Sequence, residues 1–587
     1  MTLAVLCAGR AADAAIADDL TTALRAAGAT SVERISPAEA ARRASETGEK
    51  LLICVDDLVV HPSLLWTLAT EPAGRTTALV VPDPDGDLRE ERGRVVPGPG
   101  AIRYVGAVCV APDDLPVLVA DESGKDPLDA LMAGGVVPIA TRVRLLHAER
   151  VHTPEDLASA KAAIAAVDEE KARLRLAVKE KDDFFTTYAV STWSPIVTRS
   201  CARLGLTPSG VTGLSVLLAV GAALLFWQAS RPAMIAGAVL LYLGFVLDCV
   251  DGQLARFTRR FGAFGGWLDT MADRAKEYAA YAGLAAGAER IGLPYAWPLA
   301  ITAILLQTVR HMTDAWYGAL HDEAAARPVA TAETGVGARL SAASNRVQAD
   351  TGSLAYWLKR IVVFPIGERW ALIAVLAALF TGRVALAGVV VWGLLAFGYT
   401  FALRSLRSIA MRVGVLNTVD TGRHRDDGLL ARNVLSLAHL QAPLIFAGTA
   451  AVAGLAAVAI HTKLELAVAA LVVLTAGLPA RAGHAGPLDW LVPAALRAAE
   501  YLLVAAAGLI GGVHPPIVFL LLFVLAMHHY DLVARMEKGA PGGSPELLGW
   551  DGRVVLLAAA TLAGQATIGM VLISVLTGAA FLKGVLR

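Results

Sequence analysis

The stretch from Asp248 to Asp273 reads D-C-V-D-G-Q-L-A-R, then eight residues, then G-G-W-L-D-T-M-A-D. It places four aspartates in and around hydrophobic stretches long enough to cross a membrane. Carboxylates at membrane depth are costly, and they normally persist only where they face a cavity, a partner or a cation. Four of them on two neighbouring helices predict a metal site.

The spacing of these aspartates places each pair on one face of a helix. Asp248 and Asp251 are three residues apart, while Gly265, Asp269 and Asp273 follow one another in steps of four. A cluster of carboxylate oxygens suits Mg²⁺ or Mn²⁺ better than zinc. We expect two such ions, about 3.5–4 Å apart, to clamp the attacking and leaving oxygens of a phosphoryl transfer.

Small residues and one arginine accompany the aspartates. Gly252, Ala255 and Gly265 let a ligand or a neighbouring helix approach the backbone closely. Arg256 adds a fork-shaped donor suited to a phosphate. The alternative is that the aspartates form hydrogen bonds between helices or lie at the membrane surface. Either role explains a single aspartate better than a set of four.

Composition limits the class of protein. The 587 residues are 56% hydrophobic, with a mean hydropathy of +0.55, which predicts a polytopic membrane protein. Fifty-two basic residues balance fifty-two acidic ones, so the formal net charge is zero. The chain therefore has no overall positive charge that would attract nucleic acid. Five scattered cysteines indicate reduced thiols, and the charge order of the N-terminus is wrong for a signal peptide. The N-terminus is therefore expected to stay in the cytoplasm.

The first 165 residues differ from the rest of the chain. Charged helical stretches alternate with short apolar runs at Leu3 to Cys7, Leu51 to Val55, Ala78 to Val81 and Tyr104 to Val110. This order predicts a cytoplasmic α/β domain with a mainly parallel sheet. Residues 166–206 are predicted to contain a connecting helix and an amphipathic helix at the membrane surface.

Hydrophobic spans follow this domain. Six of about 20 residues are predicted within 207–412, near 210–228, 232–250, 264–286, 294–316, 368–384 and 385–405. Basic residues on alternate connections predict that the aspartates face the cytoplasm. Further spans within 413–587, near 441–460, 464–480, 488–512, 514–530 and 552–585, bring the predicted total to eleven or twelve crossings of the cell membrane.

The aspartate segment resembles the signature of the CDP-alcohol phosphotransferase family, D-x2-D-G-x2-A-R-x8-G-x3-D-x3-D. Every fixed position is filled, by Asp248, Asp251, Gly252, Ala255, Arg256, Gly265, Asp269 and Asp273. The first span also opens with L-T-P-S-G-V-T, from Leu206 to Thr212, which is similar to a segment of many family members. The resemblance covers about residues 184–412.

The resemblance implies a metal-dependent transfer of a substituted phosphate from a CDP-linked lipid or alcohol, such as CDP-diacylglycerol, to an acceptor alcohol, with release of CMP. Asp248, Asp251, Asp269 and Asp273 would hold the metals, and Asp273 would also act as general base. The residues expected to contact the donor are Thr207, Pro208, Ser209, Gly252, Ala255, Arg256 and Gly265. Family relatives are generally homodimers, so a homodimer is expected.

The acceptor is predicted to be a small polar alcohol, with inositol phosphate among the candidates. Family members that take a phosphorylated polyol use basic residues of later helices, and Arg369 in F-P-I-G-E-R-W is placed where the fifth helix begins. Arg369 is therefore a candidate acceptor contact. The alternative is that it anchors the helix at the cytoplasmic surface.

The N-terminal domain resembles a degenerate sugar-phosphate nucleotidyltransferase. Its strands end L-C-A-G-R and C-V-D-D, but the glycine-rich, basic loop that cradles a triphosphate is missing after Arg10. Arg150 and His152 stand where such enzymes carry metal-binding aspartates. A structural or regulatory domain is favoured, and a bifunctional enzyme that makes its own CDP-polyol donor is the alternative.

The C-terminal unit carries recurring polar groups without a recognisable chemistry. Its Asp489, Arg497, Glu500, His528–His529 and Asp531 are predicted to be interfacial anchors or intramembrane ion pairs. A metal site at His528–His529 is disfavoured because no matching ligands stand at a suitable spacing. For the chain as a whole, the alternative to an enzyme is a membrane transporter or scaffold whose aspartates bind ions.

Overall fold

The architecture comes from a computed structural model, which describes residues 2–7, 14–71, 74–91, 93–121, 126–180, 182–326, 353–411, 426–433, 442–481, 484, 486–537 and 548–585. Two compact units are present. One contains Met1–Glu180 with Thr198–Ala202 and Gly252–Phe261. The other contains Lys181–Val197, Arg203–Asp251 and Gly262–Arg587.

The first unit is built on a six-stranded sheet with a separate two-stranded one. The strands are β1 (Thr2–Cys7), β2 (Ser31–Glu33), β3 (Lys50–Val55), β4 (Leu58–Val60), β5 (Thr77–Glu91), β6 (Arg94–Val110), β7 (Ile139–Arg142) and β8 (Ala148–Arg150). The order in the large sheet is β2-β1-β3-β6-β5-β7, and β4 pairs with β8.

The large sheet is mixed, which corrects the prediction of a mainly parallel one. β1 pairs in parallel with β2 and β3, and β5 pairs in parallel with β7. The long β5–β6 hairpin is antiparallel, and β6 also runs antiparallel to β3. The sequence suggested a helical crossover before each strand, but β5 and β6 are joined by a tight turn and need no crossover.

The helices of this unit cover both faces of the large sheet. They are α1 (Ala14–Ala26), α2 (Pro37–Thr47), α3 (Pro62–Ala69), α4 (Leu115–Val119), α5 (Pro127–Ala133), α6 (Pro154–Ala165) and α7 (Glu169–Ala177). Successive side chains of β3 point to opposite faces of the sheet and so contribute to two apolar cores. Leu52 and Cys54 pack with Leu24 on one face. Leu51 and Ile53 pack with Ala40 on the other. The predicted α/β class is therefore confirmed.

The second unit is helical, and α8 and α10 belong to it apart from their residues within Thr198–Ala202 and Gly252–Phe261. After a helical turn at Thr186–Val190 and α8 (Ser194–Arg203) come α9 (Pro208–Gln228), α10 (Arg231–Thr258), α11 (Ala263–Arg290), α12 (Ala296–Ala326), α13 (Leu354–Val363), α14 (Ile366–Leu379) and α15 (Gly382–Met411). The C-terminal helices are α16 (Leu429–Asn433), α17 (Pro443–Ala457), α18 (Lys463–Gly477), α19 (Val492–Ile510), α20 (Pro515–Glu537), α21 (Trp550–Leu562) and α22 (Ala566–Val585).

Six of the described helices are long and apolar enough to cross a membrane, or seven if the bent pair α13–α14 forms one span. This count is below the eleven or twelve predicted crossings. Three predicted spans correspond to helices of only 13 to 15 residues, namely α17, α18 and α21. Two others, α11 and α12, are long enough but contain too many polar residues to count as membrane spans by composition. The protein is nevertheless a multi-pass membrane protein.

Two glycines bring α11 against the backbone of α9. A Cβ atom at Gly283 would lie 2.4 Å from the carbonyl oxygen of Ala223, and one at Gly287 would lie 2.0 Å from that of Phe226. The two glycines are four residues apart and therefore share one face of α11. Close approach of this kind is the usual role of small residues between membrane helices, and it fixes α11 beside α9.

Candidate functional site

Three of the predicted metal ligands converge between α10 and α11. One carboxylate oxygen each from Asp248, Asp251 and Asp269 lies within 4.8 Å of the others. Asp251 is buried, and the Thr212 hydroxyl donates a 2.5 Å hydrogen bond to its Oδ2 atom. These oxygens form a compact anionic group, as the helical spacing predicted.

An oxygen-only group of this kind fits a hard divalent cation. Mg²⁺ and Mn²⁺ prefer carboxylate oxygens, and the three aspartates supply them from two helices that pack together. Thr212 holds one oxygen of Asp251, which fixes the orientation of that carboxylate. The residues present therefore suit the ion that their spacing predicted.

Asp273 lies beside this group but makes an ion pair with a lysine. Lys276 Nζ is 3.2 Å from Asp273 Oδ1, and it also bonds to Asp248 Oδ1. The lysine side chain is fully buried, whereas those of Asp248 and Asp273 remain 12% and 20% exposed. Lys276 therefore connects the predicted base to Asp248, one of the predicted metal ligands.

A second ion-pair group lies one residue further along α11. Glu277 is fully buried, accepts bonds of 2.9 and 3.2 Å from the Arg369 guanidinium, and accepts one of 2.7 Å from Arg274. The Tyr281 hydroxyl donates to the same carboxylate at 2.6 Å. Arg369, the predicted acceptor contact, is itself buried and also donates to the Phe364 carbonyl oxygen. Its role toward the acceptor remains a prediction.

The predicted donor contacts on α9 lie at the start of that helix. Thr207 caps α9 by accepting a 3.1 Å hydrogen bond from the Gly210 amide, and Pro208 takes the first helical position. A Cβ atom at Gly265 would lie 3.4 Å from the Ser209 Oγ atom. The structure therefore places Ser209 against the beginning of α11.

The remaining predicted contacts follow Asp251 on α10. A Cβ atom at Gly252 would lie 3.3 Å from an Arg256 guanidinium nitrogen, so the glycine leaves space for that group. Arg256 Nε donates to the Ala177 carbonyl oxygen. Ala255 is half-buried on the same helix.

Residues 206–415 match the sequence profile of the CDP-alcohol phosphatidyltransferase family. The match begins at the start of α9, includes every fixed residue of the aspartate signature, and ends just beyond α15. This region is a CDP-alcohol phosphatidyltransferase domain. Residues 417–586 match a family of unknown function, DUF5941.

Two curated relatives of the chain are named as synthases of inositol phosphate lipids. The chain is 34% identical over 89 residues to the archaetidylinositol phosphate synthase of Pyrococcus horikoshii, covering 15% of this chain and 46% of the relative. It is 33% identical over 88 residues to the phosphatidylinositol phosphate synthase of Mycobacterium tuberculosis, covering 15% and 40%.

A third relative is the bifunctional IPC transferase and DIPP synthase of Aquifex aeolicus, which is 33% identical over 137 residues, or 23% of this chain and 28% of the relative. The chain thus covers less than half the length of each of these three relatives.

Sequence reasoning missed two polar residues of the phosphatidyltransferase domain. Lys276 follows Asp273 by three residues and Asp269 by seven, so the helical period already placed it on their face. Glu277 follows Asp273 by four residues, and its pairing with Arg369 joins positions 92 residues apart, which no local pattern could reveal.

The C-terminal helix α20 packs on the phosphatidyltransferase domain beside the aspartates. Trp267, two residues before Asp269, donates a 2.7 Å hydrogen bond to Asp531 Oδ1. The Tyr530 ring stacks on His311 at 4.0 Å and lies under the Arg274 guanidinium. α20 therefore supports the helix that carries two of the predicted metal ligands.

The polar residues of the C-terminal unit form a buried ion-pair cluster. Arg553 donates 2.6 Å bonds to Glu500 and Asp426, and Arg497 donates to Glu500 at 2.8 Å and to His529 at 2.7 Å. All five side chains are at most 6% exposed. The ion pairs expected among these polar residues are present.

His528 and His529 do gain a carboxylate partner that the sequence did not indicate. Their nitrogens lie 3.2 and 3.6 Å from Asp426 Oδ2, and the three residues have the spacing of a possible cation site. Arg553, however, already donates to the same oxygen of Asp426. The guanidinium supplies the positive charge that this carboxylate requires.

The N-terminal unit contains a cavity of about 1860 Å³ at the carboxyl end of β3. Its described lining carries eight acidic side chains and three arginines. Burial raises the pKa of Asp126, one of these acids. The loop after Arg10 lies outside the described residues. An acid-rich lining is unfavourable for a triphosphate that carries no cation.

Arg150 forms an ion pair with Asp57. Its guanidinium donates bonds of 2.8 to 3.2 Å to both oxygens of Asp57, whose side chain is fully buried. Burial opposes the charge on Arg150, but the hydrogen bond to Asp57 raises the pKa of the guanidinium overall. The Arg150 guanidinium thus supplies the positive charge next to the Asp57 carboxylate.

Asp57→Ala is expected to destabilise the two-stranded β4–β8 sheet by about 1–3 kcal/mol, because it leaves the Arg150 donors without their carboxylate. Hydrogen–deuterium exchange of the β4 and β8 amides in the full chain measures the change. Asp19→Ala is the matched control, since Asp19 is 65% exposed in its ion pair with Lys161. Equal exchange in both variants would contradict the prediction.

Proposed function

We propose that the protein transfers a phosphatidyl-type group from a CDP-linked lipid, CDP-diacylglycerol in the first instance, to the hydroxyl of a small polar acceptor, and releases CMP. The observation that carries this proposal is the convergence of Asp248, Asp251 and Asp269 inside a CDP-alcohol phosphatidyltransferase domain. Inositol phosphate is the first acceptor to test, because two of the relatives are named as an archaetidylinositol phosphate synthase and a phosphatidylinositol phosphate synthase.

The proposed reaction forms one bond to phosphorus and breaks another. The acceptor oxygen bonds to the phosphorus that bears the lipid, the bond from that phosphorus to the CMP oxygen breaks, and CMP leaves with the bonding electrons. Asp273 takes the proton of the acceptor hydroxyl. Ser209 and the amide groups at the start of α9 would bind the phosphates of the donor.

The three converging aspartates would hold the divalent ion, Mg²⁺ or Mn²⁺. When bound, such an ion neutralises charge on the phosphate oxygens and favours departure of CMP. Thr212 orients Asp251 for this purpose. The basic residues at Arg256, Arg259 and Arg260 favour a cytoplasmic position for this end of the domain. A homodimer stays a prediction.

Release of CMP from CDP-diacylglycerol by the purified full-length protein tests the proposal. Each reaction contains Mg²⁺ or Mn²⁺ and one acceptor from a panel that includes inositol phosphate, inositol, glycerol phosphate and serine. We expect acceptor-dependent release that EDTA abolishes. Ion flux across vesicles without CMP formation would favour the transporter alternative and refute the enzyme.

Asp251→Asn provides the internal control for this assay. It keeps the size of the side chain and the contact with Thr212 but removes one negative charge from the metal ligands. CMP release is expected to fall by about 10²–10³-fold, in line with loss of metal-ion catalysis. Release that remains at the wild-type rate would show that another protein in the preparation makes the CMP.

The bifunctional alternative has one specific observation in its favour, the large cavity at the carboxyl end of β3, where open α/β sheets commonly bind ligands. The pairing of Arg150 with Asp57 argues against it. Equilibrium binding of CTP with Mg²⁺ to the full-length protein decides the matter. Binding that Asp126→Ala weakens would support a nucleotide site, and absence of CTP binding would remove this alternative.

A further inference from the structure

Lys276 is held at the aspartate centre by two hydrogen bonds and an ion pair. Its ammonium group donates to Ser215 Oγ at 3.0 Å and to Asp248 Oδ1, and it lies 3.2 Å from Asp273 Oδ1. Ser215 can accept this bond because its own hydroxyl donates to the Gly244 carbonyl oxygen. The Trp370 ring, 5.7 Å from Nζ, faces the same cation.

The ammonium lies between two of the four aspartates, Asp248 and Asp273. Asp248, Asp251 and Asp269 offer oxygens close enough to bind one ion together. Lys276 Nζ contacts one oxygen of Asp248 and one of Asp273, so a second cation bound by these two carboxylates would have to displace the ammonium.

From this geometry we propose that Lys276 is a built-in cation that replaces a second divalent ion, so that the aspartate centre binds one divalent ion per chain. The inference rests on the proposed function, because it concerns the metal of the same site. It differs from the two ions that the aspartate spacing alone suggested.

The charge at the centre agrees with a single divalent ion. Four carboxylates and one ammonium leave three negative charges, which one divalent ion reduces to one. A second divalent ion would make the centre positive before any substrate entered and would lie next to a buried ammonium. Like charges at such separations repel strongly where water is excluded.

Lys276 would also act on the reaction as a positioning residue. Its ion pair with Asp273 keeps a positive charge beside the predicted base, and its hydrogen bond to Asp248 joins that base to a predicted metal ligand. A fixed charge serves this purpose without the need for a second ion to be captured from solution.

Binding of Mn²⁺ to the full-length protein in detergent, followed by electron paramagnetic resonance, tests the inference. The wild-type protein is expected to bind one Mn²⁺ per chain, with the spectrum of an isolated ion. Lys276→Met removes the ammonium but keeps the length of the side chain, so this variant is expected to bind a second Mn²⁺ and to show the spectrum of an exchange-coupled pair. Lys463→Met, at the exposed start of α18, is the matched control and should bind one.

Two Mn²⁺ ions per wild-type chain, or an exchange-coupled wild-type spectrum, would overturn the inference even if Lys276→Met failed to fold. One ion in both wild type and Lys276→Met would also overturn it, because the lysine would then not be what excludes the second. The proposed function is tested separately. If the protein binds one Mn²⁺ but releases no CMP, the one-ion inference stands and the proposed transferase activity is refuted.

Discussion

Asp273→Asn is expected to lower the rate of CMP release by about 10³-fold, within the range by which a general base accelerates proton transfer. The substitution keeps the shape of the side chain and an oxygen that can accept from Lys276, but it removes the group that takes the proton of the acceptor hydroxyl. Asp273 is not one of the three converging ligands, so Mn²⁺ binding should persist. The loss should appear in kcat, measured at saturating donor and acceptor, more than in KM.

Asp314→Asn is the control for this variant. Asp314 is half exposed on α12 and pairs with Arg404, so the same chemical change is made in the same domain away from the aspartate cluster. Its CMP release should match wild type. If Asp273→Asn retains the wild-type kcat, Asp273 is not the base. If it instead loses Mn²⁺ binding, its contribution is to the metal, and the proposed separation of base and ligands is wrong.

The sequence predicted the convergence of Asp248, Asp251 and Asp269 because the rules that align these residues are local. Asp248 and Asp251 share a turn of α10, and Asp269 and Asp273 share a face of α11, so helical geometry alone aligns each pair. The convergence of the two pairs needed only a short connection between neighbouring helices, and residues 259–262 between α10 and α11 provide it. The proximity of these carboxylates was therefore predictable, and the ion that they would hold stays a prediction.

Contacts between distant segments were not predictable in this way. Glu277 and Arg369 are 92 residues apart, and Asp426 reaches His528 across 102 residues, so only tertiary packing joins them. The prediction of a mainly parallel sheet in the N-terminal unit was wrong for a related reason. Apolar runs at Ala78 and Tyr104 predict strands but carry no sign of strand direction, and the β5–β6 turn made them antiparallel.

The buried cluster of the C-terminal unit leads to the second large expected effect: Arg553→Met should destabilise the protein by about 3–5 kcal/mol, the usual cost of breaking a buried ion pair from one side. Arg553 joins Glu500 of α19 to Asp426, and the substitution leaves both carboxylates without that partner. Where lipid or protein replaces water, neither carboxylate can recover the lost interaction. Thermal unfolding of the protein in nanodiscs should register a clear fall in Tm.

Arg290→Met, at the exposed end of α11, is the control and should leave Tm close to wild type. A second variant separates the pairing from the loss of a large side chain. If the fall in Tm comes from an uncompensated carboxylate, Arg553→Met combined with Glu500→Gln should be less destabilised than the sum of the two single variants. Strict additivity would contradict the ion-pair explanation. Because α20 carries both His529 of this cluster and Tyr530 of the contact with Arg274, loss of the cluster should also reduce CMP release at the aspartates beside α20.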